Sequence, residues 1–188
     1  MSKIQKERLI NYYKEAMAKM MSDLDFKRNF GEDVPIIKYS ELENYNNIND
    51  LLPKKGDFVI ILTETKRNEG HWCCMMRGKD SFEWFDSYGE HPTGELNFIP
   101  IFIKKMLNQN SYQLIRLLKT IPKDMKLEYN ANKLQVLKDG INTCGRHCIA
   151  RIHCFRMGYT LEDYLNKVID KCDETGKPPD VLMCDWIK

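Results

Sequence analysis

The chain has 188 residues, 43% of them apolar, and a formal charge of only +2 from 29 basic and 27 acidic side chains. That length suits one domain, residues 1–188, with a full core, and so slight a charge does not demand nucleic-acid binding. No stretch approaches the roughly 20 apolar residues of a membrane span, and Lys3, Gln5, Lys6, Glu7 and Arg8 deny the N-terminus a signal-peptide core, so a soluble, intracellular protein without membrane contact is expected.

Ile4 to Met21 reads as an amphipathic helix, and Asp57-Phe58-Val59-Ile60-Ile61-Leu62 as a buried strand. His71 to Met76 and Ser81 to Asp86 are rich in aromatic and bulky apolar residues. Arg77-Gly78-Lys79-Asp80 between them carries turn signals, which predicts a β-hairpin with a four-residue loop. Leu96 to Lys119 reads as helical, and Lys126 to Tyr129 and Lys133 to Val136 as short strands. From Cys144 to about Met157, Cys148, Ile149, Ile152 and Phe155 recur at helical spacing; Gly158 ends the run, and Asn142 or Thr143 supplies a cap. Thr160-Leu161-Glu162-Asp163 has the form of a capping box for a helix to about Asp170, with Asp in place of Glu or Gln. Asp173 to Asp180 reads as a loop, followed by an apolar end, Val181-Leu182-Met183, that docks on the core.

The order of the polar residues points to chemistry. A thiol attacks a carbonyl as thiolate, so it needs an imidazole to hold its proton and a third group to fix that imidazole. Cys144, His71 and Asp86 supply these. In the four-residue hairpin His71 lies opposite Asp86, close enough for a carboxylate to accept from the ring; a slip of one residue would put the two on opposite faces. Cys144 opens its helix, where the positive end of the dipole favours a thiolate and the N–H groups of Cys144 and Gly145 are available to an oxyanion. Gly145 is expected to keep the approach to the nucleophile clear. Each residue has a plainer reading: a structural histidine, a turn aspartate, a buried helix-entry cysteine.

The set Gly70-His71-Trp72, Phe85-Asp86-Ser87-Tyr88-Gly89, Leu134-Gln135 and Thr143-Cys144-Gly145-Arg146-His147 resembles the adenovirus-protease and SUMO-protease superfamily of cysteine peptidases. Within it, the chain looks most like the adenain-like proteases of large DNA viruses, virophages and Polinton-type elements. The likeness runs from about Val34 to Met157 and takes in Tyr39-Ser40-Glu41-Leu42, Leu51-Leu52 and Tyr129-Asn130. The resemblance implies an α+β fold in which a mixed β-sheet packs against a central helix beginning at the nucleophilic cysteine. It divides the chain into an N-terminal helix (about 4–21), a catalytic core (about 34–157) and a C-terminal helix and tail (158–188).

By residue, the resemblance implies His71 as general base, Asp86 as its orienting acid, Cys144 as nucleophile and Gln135 as oxyanion donor. Trp72, Asn142 and Gly145 would line the substrate cleft. Gln135 stands nine positions before Cys144, farther than in the better-known members, so the loop Lys138-Asp139-Gly140-Ile141 has to absorb the difference. Otherwise the oxyanion hole rests on backbone N–H groups and Asn142.

The activity implied is a cysteine endopeptidase that cuts after small residues such as glycine through a thioester, on viral precursors, in host cytoplasm or virion. The alternatives are an isopeptidase that removes ubiquitin-like modifiers, an acyltransferase, and a non-catalytic virion protein on the same fold. An activating peptide or nucleic acid is a further partner in some relatives. Arg146, Arg151, Arg156 and Lys104-Lys105 are the residues that would meet it, if they do not simply solvate a face. Seven cysteines in a chain without a secretory signal argue for reduced thiols packed as small hydrophobes. Cys144, His147, Cys148, His153 and Cys154 are dense enough to raise zinc but lack C-x2-C spacing, so neither metal nor cofactor is expected.

Overall fold

In the computed structural model, which describes residues 2–94 and 96–188, five strands form one mixed sheet. These are β1 (Ile36–Lys38), β2 (Phe58–Lys66), β3 (Glu69–Arg77), β4 (Ser81–Phe85) and β5 (Lys126–Tyr129), in that order across the sheet. The central three are antiparallel; β1 joins β2 and β5 joins β4 in parallel.

The central strands are apolar on successive residues, the pattern of strands covered on both faces. Ile60, Leu62, Trp72, Cys74, Met76 and Phe85 point to one core and Val59, Ile61, Cys73, Met75, Phe82 and Trp84 to another. The described residues form eight α-helices: α1 (Lys3–Ala18), α2 (Asp23–Phe30), α3 (Ile48–Leu51), α4 (Ile101–Met106), α5 (Ser111–Leu118), α6 (Cys144–Arg156), α7 (Leu161–Thr175) and α8 (Pro179–Trp186). The first core is closed by α6, α7, α8 and Phe26 of α2. The second is closed by the 3-10 helix Tyr39–Asn44, by α3 and by α5. The architecture is α+β, with α6 packed along β3.

Several expectations are revised. The N-terminal helix stops at Ala18 and buries no residue, while Met21 turns into the core and α2 follows. The span Leu96–Lys119 is two helices. Asn108 adopts a left-handed conformation, and the buried Gln109 side chain accepts from Glu64 N and donates to Glu64 O, both at 2.8 Å, completing β2 as a neighbouring strand would. Lys133 to Val136 is not a strand. Its N–H groups go outside any sheet instead: Leu134 and Gln135 to the Ser87 carbonyl, Val136 to the Asp180 side chain of α8. Asp163 does complete the capping box with Thr160, and α7 runs on to Thr175; the expected loop after Asp173 is largely helix, with Pro179 opening α8.

Two of the basic residues considered for an activator, Arg146 and Arg151, are spent inside, while Lys105 and Arg156 are exposed. Arg151 is fully buried and grips Glu83 of β4 with two bonds of 2.7 and 2.6 Å. Arg146 donates to the carbonyls of Ile187 and Lys19. Neither forms a surface patch, since a buried guanidinium needs its donors satisfied within the fold.

Candidate active site

The hairpin that carries His71 turns through three residues, Gly78 to Asp80, one fewer than expected. Its register pairs Met76 with Glu83, where a four-residue loop would pair Cys74 with Glu83. His71 is therefore not directly opposite Asp86. The displacement is two positions, and side chains alternate with period two, so both still project from the same face. His71 Nε2 and Asp86 Oδ1 meet at 2.6 Å, both buried.

Asp86 is fixed by the turn that follows β4. Tyr88 N donates to its Oδ1 at 2.9 Å and Glu90 N to its Oδ2 at 3.3 Å, while Asn130 Nδ2 holds its carbonyl at 2.6 Å. Gly89 makes this turn with φ 72°, and a Cβ there would strike the Asn132 backbone at 2.8 Å. Tyr88 lies flat on the His71 ring, centroids 4.2 Å apart, and Phe98 meets the same ring edge-on at 5.9 Å.

Cys144 comes to His71 from the other layer as the first residue of α6. Burial pulls the His71 imidazole down, yet the charge and hydrogen bond of Asp86, reinforced by Cys144, hold it well above its ordinary value. Nδ1, the nitrogen not used by Asp86, is buried and has no aligned partner. Cys144 lies near enough to add to the shift of this ring without an aligned hydrogen bond to it. Burial, then Cys144 and Asp86, also push the Tyr88 phenol up. Cys148, by contrast, is fully buried on α6 and donates to the Trp72 carbonyl at 3.3 Å; burial drives its thiol well above the ordinary range.

Gln135 is drawn to the edge of the site by Ser87. The Ser87 hydroxyl donates to Gln135 Oε1 at 2.8 Å, which turns Nε2 toward the Ile141 carbonyl at 3.2 Å and the Tyr88 hydroxyl at 3.5 Å. The carbonyl partner fixes which end of the amide is nitrogen. The loop from Lys138 thus folds back over Gln135 at Ile141, three residues before Cys144, while the other hydrogen bonds of Gln135 run to Ser87 and Tyr88.

Neither Asn142 nor Thr143 caps α6 with its side chain. Asn142 instead donates through N and Nδ2 to the Met17 and Ala18 carbonyls at 2.7 and 2.8 Å, satisfying orphan groups at the end of α1. Trp72 does both things asked of it: it is core, edge-on to Phe26, and it lines a cleft of about 510 Å³ with Met21, Asn142 and Cys144. Gly145 does not leave an open approach. A Cβ on it would sit 2.5 Å from Met21 Cβ and 3.3 Å from Trp72, so the glycine is there to admit these two side chains.

A second acid was not visible in the sequence. Asp180 of α8, buried, accepts from the Thr143 hydroxyl, from Val136 N at 3.0 Å and from His147 Nε2 at 3.3 Å. It joins the residue before Cys144 to the residue after Gln135. Burial lowers the His147 pKa against the pull of Asp180, with His71 adding repulsion, so His147 is neutral near pH 7. Only the spacing of Thr143 and His147, one helical turn apart, hinted at a shared partner. Among the described residues, His71, Cys73 and Asp86 could hold a metal ion, their ligand atoms lying within 4.8 Å of one another. A metal there would displace the proton between His71 and Asp86. That grouping is not the set on α6 that the sequence raised.

No helix among the described residues is long and apolar enough to cross a membrane. No protein-family model matches the chain. It is 33% identical over 176 residues to the Uncharacterized protein V9 of Sputnik virophage, an alignment that covers 93% of this chain and 95% of that protein. A likeness of that extent means one fold across nearly the whole of both chains, and the chain belongs to the family of this virophage protein.

Proposed function

We propose that the protein is a cysteine endopeptidase of the adenain-like and SUMO-protease superfamily, with Cys144 as nucleophile, His71 as acid and base, and Asp86 as orienting acid. One observation carries the reading: a helix-opening cysteine acts on the imidazole whose far nitrogen is held by a buried carboxylate. The thiolate of Cys144 adds to the scissile carbonyl carbon, and the carbonyl electron pair moves to oxygen. First-turn N–H groups of α6 have no carbonyl one turn earlier to bond, so those of Cys144 and Gly145 stabilise that oxyanion, and the Gln135 amide joins them once it leaves Ile141. As the tetrahedral adduct collapses, the C–N bond breaks and the amine departs with the proton from His71. A water then gives its proton to His71 and attacks the thioester, releasing acid and thiolate.

Trp72 and Met21 wall the cleft beside Cys144, and the resemblance to this superfamily favours a small residue such as glycine before the cut. A viral relative favours viral polypeptide precursors as substrates. The test is to incubate the protein with quenched peptides ending their acyl half in glycine and with ubiquitin-like modifiers carrying a thiol-reactive C-terminus. An adduct on Cys144 and loss of turnover in a folded Cys144→Ala variant are expected; preferential modification of any other cysteine near neutral pH rules out the nucleophile.

A further inference from the structure

A second cavity, of about 300 Å³, is lined by Tyr88, Phe98, Gln135, Val136 and Leu137, with Glu90 and Lys133 contributing one charge of each sign. It shares no lining residue with the cleft that holds Cys144. Its inner wall is the pair of rings, Tyr88 and Phe98, that pack on His71. Val136 and Leu137 are apolar, yet 54% and 69% exposed, so the cavity offers apolar surface with nothing over it.

The two cavities divide a substrate as the reaction does. The acyl half stays bonded to Cys144 after the first step and so belongs to the cleft that Cys144 lines. The leaving amine must take its proton from His71, and its residue therefore lies on the side of His71 away from that cleft. We propose that the Tyr88–Phe98–Leu137 cavity receives the side chain immediately after the scissile bond and selects a large apolar residue there. This rests on the cysteine peptidase reading. A charged side chain would lose hydration against Phe98, Val136 and Leu137, and the opposite charges of Glu90 and Lys133 favour neither sign.

The test uses quenched peptides with one common acyl half ending in glycine, varied only at the residue after the cut. The wild-type protein should cleave peptides with Leu or Phe there at least about tenfold faster in kcat/KM than those with Asp or Lys, the usual reach of an apolar pocket. Thioester hydrolysis, which follows departure of the variable half, should proceed at one rate for all. Because Leu137 is exposed, it accepts charge: Leu137→Glu should shift preference toward Lys and Arg, and Leu137→Lys toward Asp and Glu, an exchange that misfolding cannot produce. A flat profile with normal acylation of Cys144, or a wild-type preference that neither variant shifts, overturns the assignment of this cavity while leaving the peptidase reading in place. Absence of a Cys144 acyl-enzyme with every peptide overturns the peptidase reading and this inference with it.

Discussion

Replacing Asp180 with alanine removes the shared partner of three donors at once: the buried Thr143 hydroxyl and His147 Nε2, and the part-buried Val136 N. A buried donor left without an acceptor costs about 1–3 kcal/mol. The Thr143 hydroxyl can rotate to another acceptor, Val136 N is only part-buried and the His147 contact, at 3.3 Å, is the weakest of the three, so the sum settles at about 3–5 kcal/mol, the lower half of the range for three such losses. For a chain of this size each kcal/mol shifts Tm by about 2–4 °C, which puts the drop at about 6–20 °C by calorimetry. Asp180→Asn should fall between, because its amide keeps one oxygen but sets an N–H₂ among donors. The cluster also spaces Cys144 against Gln135, so the asparagine variant should lose kcat more than it gains KM. A Tm drop of less than about 3 °C for Asp180→Ala would refute the cluster's role in holding α6, α8 and the Gln135 loop together.

Asp86→Asn should lower kcat by up to about 10⁴-fold and move the alkaline limb of kcat/KM to lower pH. The His71 imidazolium persists from acid pH through the neutral range and is lost as pH rises through its raised pKa, and Asp86 is the largest influence raising it; a pH–rate profile whose alkaline limb stays in place contradicts this. The stability that the His71–Asp86 pair contributes follows the same sign, fully present below about pH 6.5 and lost through the raised value. Gln135→Ala should reduce turnover about 10²–10³-fold with iodoacetamide labelling of Cys144 unchanged, whereas Asn142→Ala, which frees the end of α1, should act on Tm; the reverse outcome would move the oxyanion role to Asn142. Gly145→Ala should destabilise by about 1–3 kcal/mol in urea titration, because the added methyl meets Met21 close to its backbone rather than at a flexible tip, and a neutral result would show that the Met21 turn yields freely.

The His71–Asp86 pair is legible in the sequence even though the hairpin loop is one residue shorter than its composition implies. An error of two in register preserves the face of every side chain; an error of one would have lost the pair. Cys144 is legible because a helix start is a local signal, written in the spacing of Cys148, Ile149 and Ile152 after it. What stays hidden is held by contacts between distant segments. Asp180 falls in Gly176-Lys177-Pro178-Pro179-Asp180, where glycine and prolines announce a loop, and its partners lie 33 to 44 residues away. Gln109 and Ser87 sit in polar stretches that look like solvent-facing turns, yet one closes the edge of β2 and the other aims the Gln135 amide.

The same physics explains why Gly145 faces a side chain where the sequence suggests open space. A glycine just after Cys144 looks, in sequence, like space made for a ligand. Here the space is taken by Met21, in a segment whose helical pattern gave no sign that α1 would stop at Ala18. It stops because its last carbonyls find donors outside the helix: Asn142 bonds to Met17 and Ala18, and Arg146 to Lys19. The residues flanking Cys144 therefore end the N-terminal helix, and the turn they create seats Met21 beside Trp72 as one wall of the cleft. The N-terminal segment is thus part of the site's construction although none of its first 20 residues is buried among those described, a dependence that appears only when the two ends of these hydrogen bonds, more than 120 residues apart, are seen together.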